Sequence, residues 1–264
     1  MYQRQTTTFI QSLLLATLLS NVFIISAYSA ESSNTPILSN QSTPAEIYKI
    51  GLAYYEGNSV PQDYDKAFSL LKKAADKGSS PAQFYTGIMF YEGTGTEQSY
   101  KKAGKYLLLV ANQGNAPAQS NIAIMYENGE GFDQDYKQAM HWYVLAADND
   151  SALAQNNIGT MYYFGRGVPQ SYTKALELYK KAANQGLDIA QLNIGGLYEN
   201  GYGVPQDYDK AFELYQKAAD QGNQQASNRI GRLVMNGKID DEGITIYSTQ
   251  ETGLTLGDIE KMSQ

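Results

Sequence analysis

The sequence contains no cysteine and only one histidine among its 264 residues. The absence of cysteine excludes disulfides, a cysteine nucleophile, a thiolate zinc site and the cysteine-linked anchor of bacterial lipoproteins. The lone histidine, His141, stands beside Trp142 on a predicted helix. Because catalysis needs several convergent groups, we interpret His141 as a packing residue rather than a base.

Catalytic sequence motifs are also missing. There is no HExxH, no nucleophile elbow and no phosphate-binding glycine loop between a strand and a helix. Asp and Glu are plentiful, but they lie at predicted helix caps and on helix faces. We therefore predict a protein that is not an enzyme and that uses no metal and no cofactor.

Positive charge is scarce. The chain has 20 Lys and Arg against 27 Asp and Glu, which gives a net charge of −7. Nucleic acids and anionic lipid surfaces favour clusters of Lys and Arg, so neither is expected as a partner. The plainest interpretation of the acidic balance is solubility.

Only one long apolar run exists, from Phe9 to about Ala27, after a leader whose single charge is Arg4. Four polar residues interrupt the run, whereas a membrane-spanning helix needs about 20 mostly apolar residues. The small residues that follow allow cleavage after Ala27, Ser29 or Ala30. We expect a cleaved signal peptide rather than an uncleaved anchor, and a periplasmic or secreted protein that is not inserted in a membrane.

A repeat of 36 residues fills most of the remaining chain. Five residue series, including a mid-helix small residue and a loop glycine, recur at this one spacing without any insertion. Such regularity indicates a solenoid of stacked units. The small-residue series is Gly51, Gly87, Ala123, Gly159, Gly195 and Gly231, and the glycine series is Gly57, Gly93, Gly129, Gly165, Gly201 and Gly237.

Each repeat is predicted to form two helices. The first has apolar residues at helical spacing and ends at a glycine that permits positive φ. The second begins at a good N-cap residue, and it ends at another glycine or, in the third repeat, at Asp150. The predicted caps are Asp63, Ser99, Asp135, Ser171 and Asp207.

The packing within a repeat follows from residue size. A glycine inside a helix costs about 1 kcal/mol relative to alanine, so close helix approach must compensate it. We expect the mid-helix glycines to meet the small Ala67 series of the partner helix and the tyrosines to be mostly core residues. Large residues would fill the remaining space, namely Leu71, Leu107, Tyr143, Tyr179 and Tyr215.

These motifs resemble the Sel1-like repeat, a relative of the tetratricopeptide repeat. The fifth unit shows the pattern most fully, while Thr96–Glu97, Gly104 and Phe132–Asp133 depart from it and are expected to weaken their units. The resemblance implies a right-handed α/α superhelix that scaffolds protein complexes, with exported bacterial members acting in envelope signalling or host contact. The residues of the fifth unit that match the pattern are Ala190, Gly195, Tyr198, Gly201, Gly203, Val204, Asp207, Lys210, Ala211, Tyr215, Lys217, Ala218, Ala219 and Gly222.

We therefore predict an all-α fold, a right-handed α/α superhelix (solenoid) of about five 36-residue helix–loop–helix repeats with a C-terminal capping helix. The predicted organisation is a signal peptide at 1–30, a flexible linker at 31–44, the solenoid at 45–237 and a tail at 238–264.

By similarity to tetratricopeptide arrays, first-helix side chains that do not pack inward are expected to line a concave peptide-binding face. Asn amides suit an extended peptide backbone, and Tyr supplies apolar area with a polar tip. The same side chains could equally bridge neighbouring repeats, and that alternative stays open. The candidates are Tyr85, Asn121, Asn157, Asn193, Arg229, Tyr55, Tyr91 and Tyr163.

The expected function is a scaffold or adaptor that binds a protein or peptide partner, as a monomer. Within the binding class, the alternatives are a regulator or inhibitor of a cell-wall enzyme and a host-interacting virulence factor. The alternative from another class is a hydrolase acting on peptidoglycan or β-lactams, as claimed for some cysteine-rich relatives. The absence of cysteine and the single histidine argue against that hydrolase.

Overall fold

The computed structural model describes residues 42–239, and all regular elements in this stretch are helices. The predicted signal peptide, most of the linker and nearly all of the tail lie outside it. No helix of the described stretch is long and apolar enough to cross a membrane. The helices are α1 (Pro44–Glu56), α2 (Tyr64–Asp76), α3 (Ser80–Glu92), α4 (Tyr100–Ala111), α5 (Ala116–Asn128), α6 (Tyr136–Ala147), α7 (Ala152–Phe164), α8 (Tyr172–Asn184), α9 (Asp188–Asn200), α10 (Tyr208–Asp220) and α11 (Gln224–Met235).

The chain divides into two compact units, one ending at Ala146 and the other beginning at Ala147. In the first unit α1, α2, α3 and α4 each pack on the next helix along the chain, and in the second unit α7, α8, α9 and α10 do the same. Odd-numbered helices are the first helices of the repeats and even-numbered ones are the second. Packing between sequence neighbours is the architecture of a helical solenoid, so the predicted all-α solenoid is confirmed.

The predicted helix ends are confirmed as well. Asp63 and Asp207 each accept a hydrogen bond from the backbone N–H three residues on, and Asp135 accepts one from Gln138. Ser99 and Ser171 cap α4 and α8 in the same way. The glycines that end α1, α3, α5, α7 and α9 have φ between 68° and 77°.

The mid-helix glycines approach a different residue from the one expected. A Cβ added to Gly51 would lie 2.9 Å from Leu71 Cγ, and one added to Gly195 would lie 2.5 Å from Tyr215 Cε1. The predicted contact with the Ala67 series exists but is secondary, since Ala175 O lies 3.3 Å from a Cβ added to Gly159. The helix lacks a side chain here because the large buried residue of the second helix fills the space.

The second glycine of three connecting loops, Gly95, Gly131 and Gly203, lies against the preceding repeat. A Cβ on Gly95 would lie within van der Waals overlap of the Tyr64 carbonyl group, and one on Gly131 would overlap that of Tyr100. Ser59 occupies this place in the first repeat with φ of 66°. A side chain is tolerated there because no earlier repeat precedes it in the described stretch.

Two departures from the repeat pattern compensate each other. A Cβ on Gly104 would lie 2.6 Å from Phe132 Cζ, so the Phe132 ring occupies the space of the missing side chain. The same ring stacks on Tyr126 with centroids 4.4 Å apart. The structure thus shows a matched contact between consecutive repeats, and the expectation that these departures weaken their repeats stays a prediction.

The tyrosines are mostly half-buried rather than core residues. In the stretch from 42 to 239, only Tyr91, Tyr143, Tyr179 and Tyr215 are buried. Several others lie under a lysine from the second helix of the same repeat. Lys66 lies 5.4 Å from the Tyr54 ring centroid, and Lys174 and Lys210 cover Tyr162 and Tyr198 in the same way. The prediction that tyrosines are mainly core is wrong, because most of them pack at the edges of helix pairs.

Candidate functional site on the first helices

Tyr55 and Tyr85, two predicted binding residues, contact each other in the first unit. The Tyr85 ring of α3 lies edge-on to Tyr55 of α1 at 5.5 Å and tilts against Tyr48 at 6.1 Å. Tyr55 also meets Tyr64 at 5.6 Å. Burial raises the pKa of both Tyr55 and Tyr85, so their hydroxyls stay neutral. These rings join consecutive first helices and remain half-buried.

Tyr91 and Asn121 lie deeper than the sequence indicates. Tyr91 is 8% exposed, and its hydroxyl donates to Glu130 Oε2 at 2.6 Å. Asn121 is 5% exposed, and its amide donates to the Pro117 carbonyl of its own helix at 2.9 Å. These contacts are of the structural kind that the sequence left open as the alternative to peptide binding.

An amide network joins the first helices of the second unit. The Asn193 amide of α9 donates to Asn156 Oδ1 of α7 at 2.9 Å. The Asn156 amide in turn lies 3.3 Å from Asn157 Oδ1. Asn156 is buried, whereas Asn157 and Asn193 are half-buried. The structure thus brings Asn157 and Asn193 together through a residue that the sequence analysis did not select.

Arg229 lies on α11 and binds a carboxylate of the preceding repeat. Its Nη1 is 3.2 Å from Glu199 Oε2, the same oxygen that accepts the Tyr215 hydroxyl. Glu127 accepts the Tyr143 hydroxyl at 2.9 Å in the third repeat. A signal for this pairing was present in the sequence. Glu127 and Glu199 each stand four residues after the mid-helix small residue, and the second helices of the same two repeats carry Tyr143 and Tyr215.

Tyr163 belongs to an aromatic patch at the end of α7. Its ring contacts Phe164 at 4.8 Å and Tyr172 at 5.2 Å. Tyr172 in turn stacks on Tyr202 at 4.8 Å and 13°. The Arg166 guanidinium lies 4.7 Å from the Phe164 ring centroid. We call these four aromatic residues and Arg166 the aromatic patch.

The aromatic patch presents apolar area to solvent. Phe164 is 45% exposed and Tyr202 is 38% exposed. Sequence reasoning missed both, although a signal existed, since the position of Phe164 is Glu or Asn in every other repeat. The equivalent residues are Glu56, Glu92, Asn128, Asn200 and Asn236.

The chemistry available on these surfaces is hydrogen bonding and aromatic contact. Between residues 42 and 239, no group of three or more His, Cys, Asp or Glu side chains could hold a metal ion. His141 is exposed and meets Trp142 edge-on at 5.8 Å. The arrangement suits the recognition of another polypeptide, in which amides bind backbone groups and aromatic rings bury apolar side chains.

Helix pairs that pack in sequence order and present polar and aromatic side chains define a helical-repeat binding scaffold. The Sel1 repeat model matches residues 47–79, 80–115, 116–151, 152–187 and 188–223. The chain therefore belongs to the Sel1 repeat family, as the motifs indicated. Proteins of this family generally act as protein-interaction scaffolds.

Solved structures of other bacterial proteins share the fold. A protective antigen of uropathogenic Escherichia coli with this repeat fold is 35% identical with a TM-score of 0.64, over 75% of this chain and 42% of that one. A Sel1 repeat protein from Oxalobacter formigenes is 30% identical with a TM-score of 0.69, over 84% of this chain and 89% of that one.

An immunity protein from Pseudomonas aeruginosa, Pa5087, is 20% identical with a TM-score of 0.50, covering 75% of this chain and 74% of that one, and this likeness concerns the fold alone. A comparison with curated proteins found no match.

Proposed function

We propose that this protein is a non-catalytic scaffold that binds a peptide segment of a partner protein in the periplasm or outside the cell. The observation that carries the proposal is the aromatic patch, which exposes Phe164 and Tyr202 beside Arg166. Tyr and Arg are enriched at protein interfaces because they bury large areas and still form polar contacts.

The amide network gives this surface a second recognition element. Asn157 and Asn193 lie on first helices of the same unit as the aromatic patch and are both half-buried. Their amides donate and accept, which suits the backbone of an extended peptide. We infer that a bound segment contacts the amides with its backbone and the patch with an apolar side chain.

The proposed exported location rests on the first 30 residues. The leader has a single positive charge, an apolar run and small residues at its end. These features favour a position outside the cytoplasm, which cell fractionation of the natural protein would test.

Affinity capture with paired variants tests the binding surface. The purified protein, its Phe164→Ser/Tyr202→Ser variant and a Leu109→Ser/Val144→Ser control would be incubated with extract from the source cells. The control removes exposed apolar side chains of similar accessibility from second helices. We expect the patch variant to lose a specific partner that the control retains. Equal capture by all three proteins would contradict the proposal.

A second pair of substitutions separates peptide binding from repeat packing. Asn157→Ala with Tyr163→Ala should abolish partner binding, with thermal unfolding measured in parallel. Intact binding by a folded double variant would show that these residues only join repeats. Hydrolysis of peptidoglycan or a β-lactam by the pure protein, abolished by His141→Ala, would overturn the non-catalytic assignment.

A further inference from the structure

The second helices of the first two repeats carry an unusual positive charge. The α2 segment through residue 77 and α4 together contain seven of the 20 basic residues of the chain but only two acidic ones, Asp65 and Asp76. The whole protein has a net charge of −7. We call this surface the lysine ridge, and it consists of Lys66, Lys72, Lys73, Lys77, Lys101, Lys102 and Lys105.

The two helices form one surface because Asp76 joins them. Its Oδ2 accepts a bond from Lys72 Nζ at 2.6 Å, and its Oδ1 accepts one from the Tyr106 hydroxyl of α4 at 2.7 Å. Behind this contact, Phe68 lies edge-on to Phe90 at 5.0 Å, and Phe90 stacks on Tyr106 at 5.8 Å. The Lys105 charge of α4 also acts on the Asp76 carboxyl, so lysines of both helices approach each other at this contact.

Most of the positive charge on the lysine ridge is uncompensated. Asp76 is engaged by Lys72 and Tyr106, and its carboxylate partly compensates the nearby Lys105 charge. Lys66 pairs with Asp63, and Lys102 lies over the Phe90 ring. Over residues 42–239, the structure shows no ion pair for the four remaining exposed lysines. These are Lys73, Lys77, Lys101 and Lys105.

A depression of about 510 Å³ lies on the α2 side of the ridge. Its lining combines the half-buried Phe68 ring and Ser69 with three lysines and one acid, namely Lys72, Lys73, Lys77 and Asp76. Its apolar area lies among three ammonium groups and one carboxylate, so the lining has a net positive charge, which matches a polypeptide that carries acidic and apolar residues.

The surrounding charge favours a short acidic segment over a larger anion. The third repeat, residues 116–151, contains six acidic residues and one lysine. Nucleic acids and anionic membranes extend well beyond two helices, and the acidic residues of the next repeat disfavour such extended anions, since charges interact over a Debye length of about 8–10 Å. A short polypeptide can pair with the ridge alone.

We propose that the lysine ridge is a docking site for an acidic, extended segment of a partner protein. Carboxylates of the segment pair with Lys73, Lys77, Lys101 and Lys105, and an apolar side chain enters the depression beside Phe68. This surface belongs to second helices of the first unit, whereas the aromatic patch belongs to the second unit.

Fluorescence anisotropy with the mature full chain tests the proposal. The probe is a labelled 12-residue peptide of Glu and Gly with a central Phe, and its counterpart has Gln in place of Glu. We expect the acidic peptide to bind, with an affinity that falls as salt rises, and the Gln peptide to bind at least about tenfold more weakly.

Charge reversal at matched repeat positions provides the control. Lys73→Glu/Lys101→Glu should weaken the acidic peptide about tenfold or more, because both charges lie on the ridge. Lys137→Glu/Lys217→Glu changes the net charge equally at the equivalent positions of other repeats and should leave affinity nearly unchanged. Circular dichroism melting of both variants verifies that these exposed substitutions leave the fold intact.

Several outcomes would overturn the proposal. These are the absence of acidic-peptide binding, equal binding of the Gln peptide, and equal losses in the two charge-reversed variants. Tighter binding of a 12-nucleotide single strand or of phosphatidylglycerol vesicles, also lost on Lys73→Glu/Lys101→Glu, would assign the ridge to another anion. Self-association that this variant abolishes, without peptide binding, would assign it to a second copy of the chain.

Discussion

At the scale of single residues, Thr86 is the clearest conflict between side-chain chemistry and environment. It lies on α3 with no exposed surface, and its hydroxyl has no hydrogen-bond partner. A buried hydroxyl without a partner costs about 1–3 kcal/mol. The other five repeats place isoleucine at this position, at Ile50, Ile122, Ile158, Ile194 and Ile230.

Thr86→Val is expected to stabilise the protein, because valine has nearly the shape of threonine and needs no hydrogen bond. The free energy of unfolding, measured by urea denaturation, should rise by about 1 kcal/mol. Thr160→Val is the matched control, since the Thr160 hydroxyl binds the Asn156 carbonyl and the Tyr179 hydroxyl. The control should lose stability, and a loss in Thr86→Val as well would refute this reasoning.

The contact between Gly104 and Phe132 gives a second prediction for individual residues. Gly104→Ala should be destabilising because its Cβ would collide with the Phe132 ring. Phe132→Val alone leaves a void beside Gly104. The double variant should lose less stability than the two single losses combined, with a coupling of about 1 kcal/mol in a double-mutant cycle. Simple additivity would show that the two departures are independent.

At the scale of helices, the mid-helix glycine of the first helices is required by packing in one repeat and is not required in another. Gly195 of α9 lies against the Tyr215 ring of α10, whereas Gly231 of α11 has no atom within 4 Å of an added Cβ. The sixth repeat has only a first helix in the described stretch, so no Tyr215 equivalent covers Gly231. The effect of a side chain on stability therefore depends on helix propensity at Gly231 and on packing at Gly195.

Gly231→Ala is expected to raise the free energy of unfolding by about 0.5–1 kcal/mol, because alanine is the better helix former. Gly195→Ala should lower it by about 1–3 kcal/mol, because the added methyl overpacks the contact with Tyr215. Thermal and urea unfolding of the two variants give the comparison. A shift of the same sign in both would mean that helix contacts do not explain the repeated glycine.

At the scale of the whole molecule, charge distribution matters more than net charge. The overall value of −7 combines a basic face on α2 and α4 with a strongly acidic third repeat. The composition alone argues against anionic partners. The concentration of lysines on α2 and α4 nevertheless favours binding of a small anionic segment. The net charge predicts solubility, whereas the local charge predicts which polypeptides are recognised.

Stability is expected to fall in acid, because several carboxylates are held by donors in the folded state. Hydrogen bonds from the Lys66 backbone and from the Lys210 side chain lower the pKa of Asp63 and Asp207, and bonds from Thr43 and Lys72 lower those of Glu46 and Asp76. Their contribution is complete above the unfolded pKa of about 4 and is lost as pH falls through the lower folded pKa.

Urea denaturation between pH 6 and about pH 3 checks this dependence. Burial raises the pKa of Glu92, which acts in the opposite direction and gains stability as pH falls. Among the described residues, these four carboxyls have a lowered pKa and Glu92 has a raised one. The free energy of unfolding should therefore decrease as pH falls. Asp63→Asn/Asp207→Asn should flatten the decrease, and a profile that rises toward pH 3 would contradict the assignment.

The sequence alone determined the period, the helix boundaries and the caps, because these depend on residues within a few positions of each other. Asp63 caps α2 and Gly57 ends α1 through contacts that any helix end makes. Repetition at one spacing then required stacked helix pairs, since one pair cannot bury its apolar face alone. The fold and the family were predictable for this reason.

Only the tertiary structure decided which side chains contact one another across helices and repeats. It placed Phe132 on Gly104, Tyr91 on Glu130 and Arg229 on Glu199, pairs separated by about one repeat. It also showed that Asn121 is buried while Phe164 is exposed. Such contacts depend on helix orientation and the size of facing residues, neither of which a one-dimensional period contains.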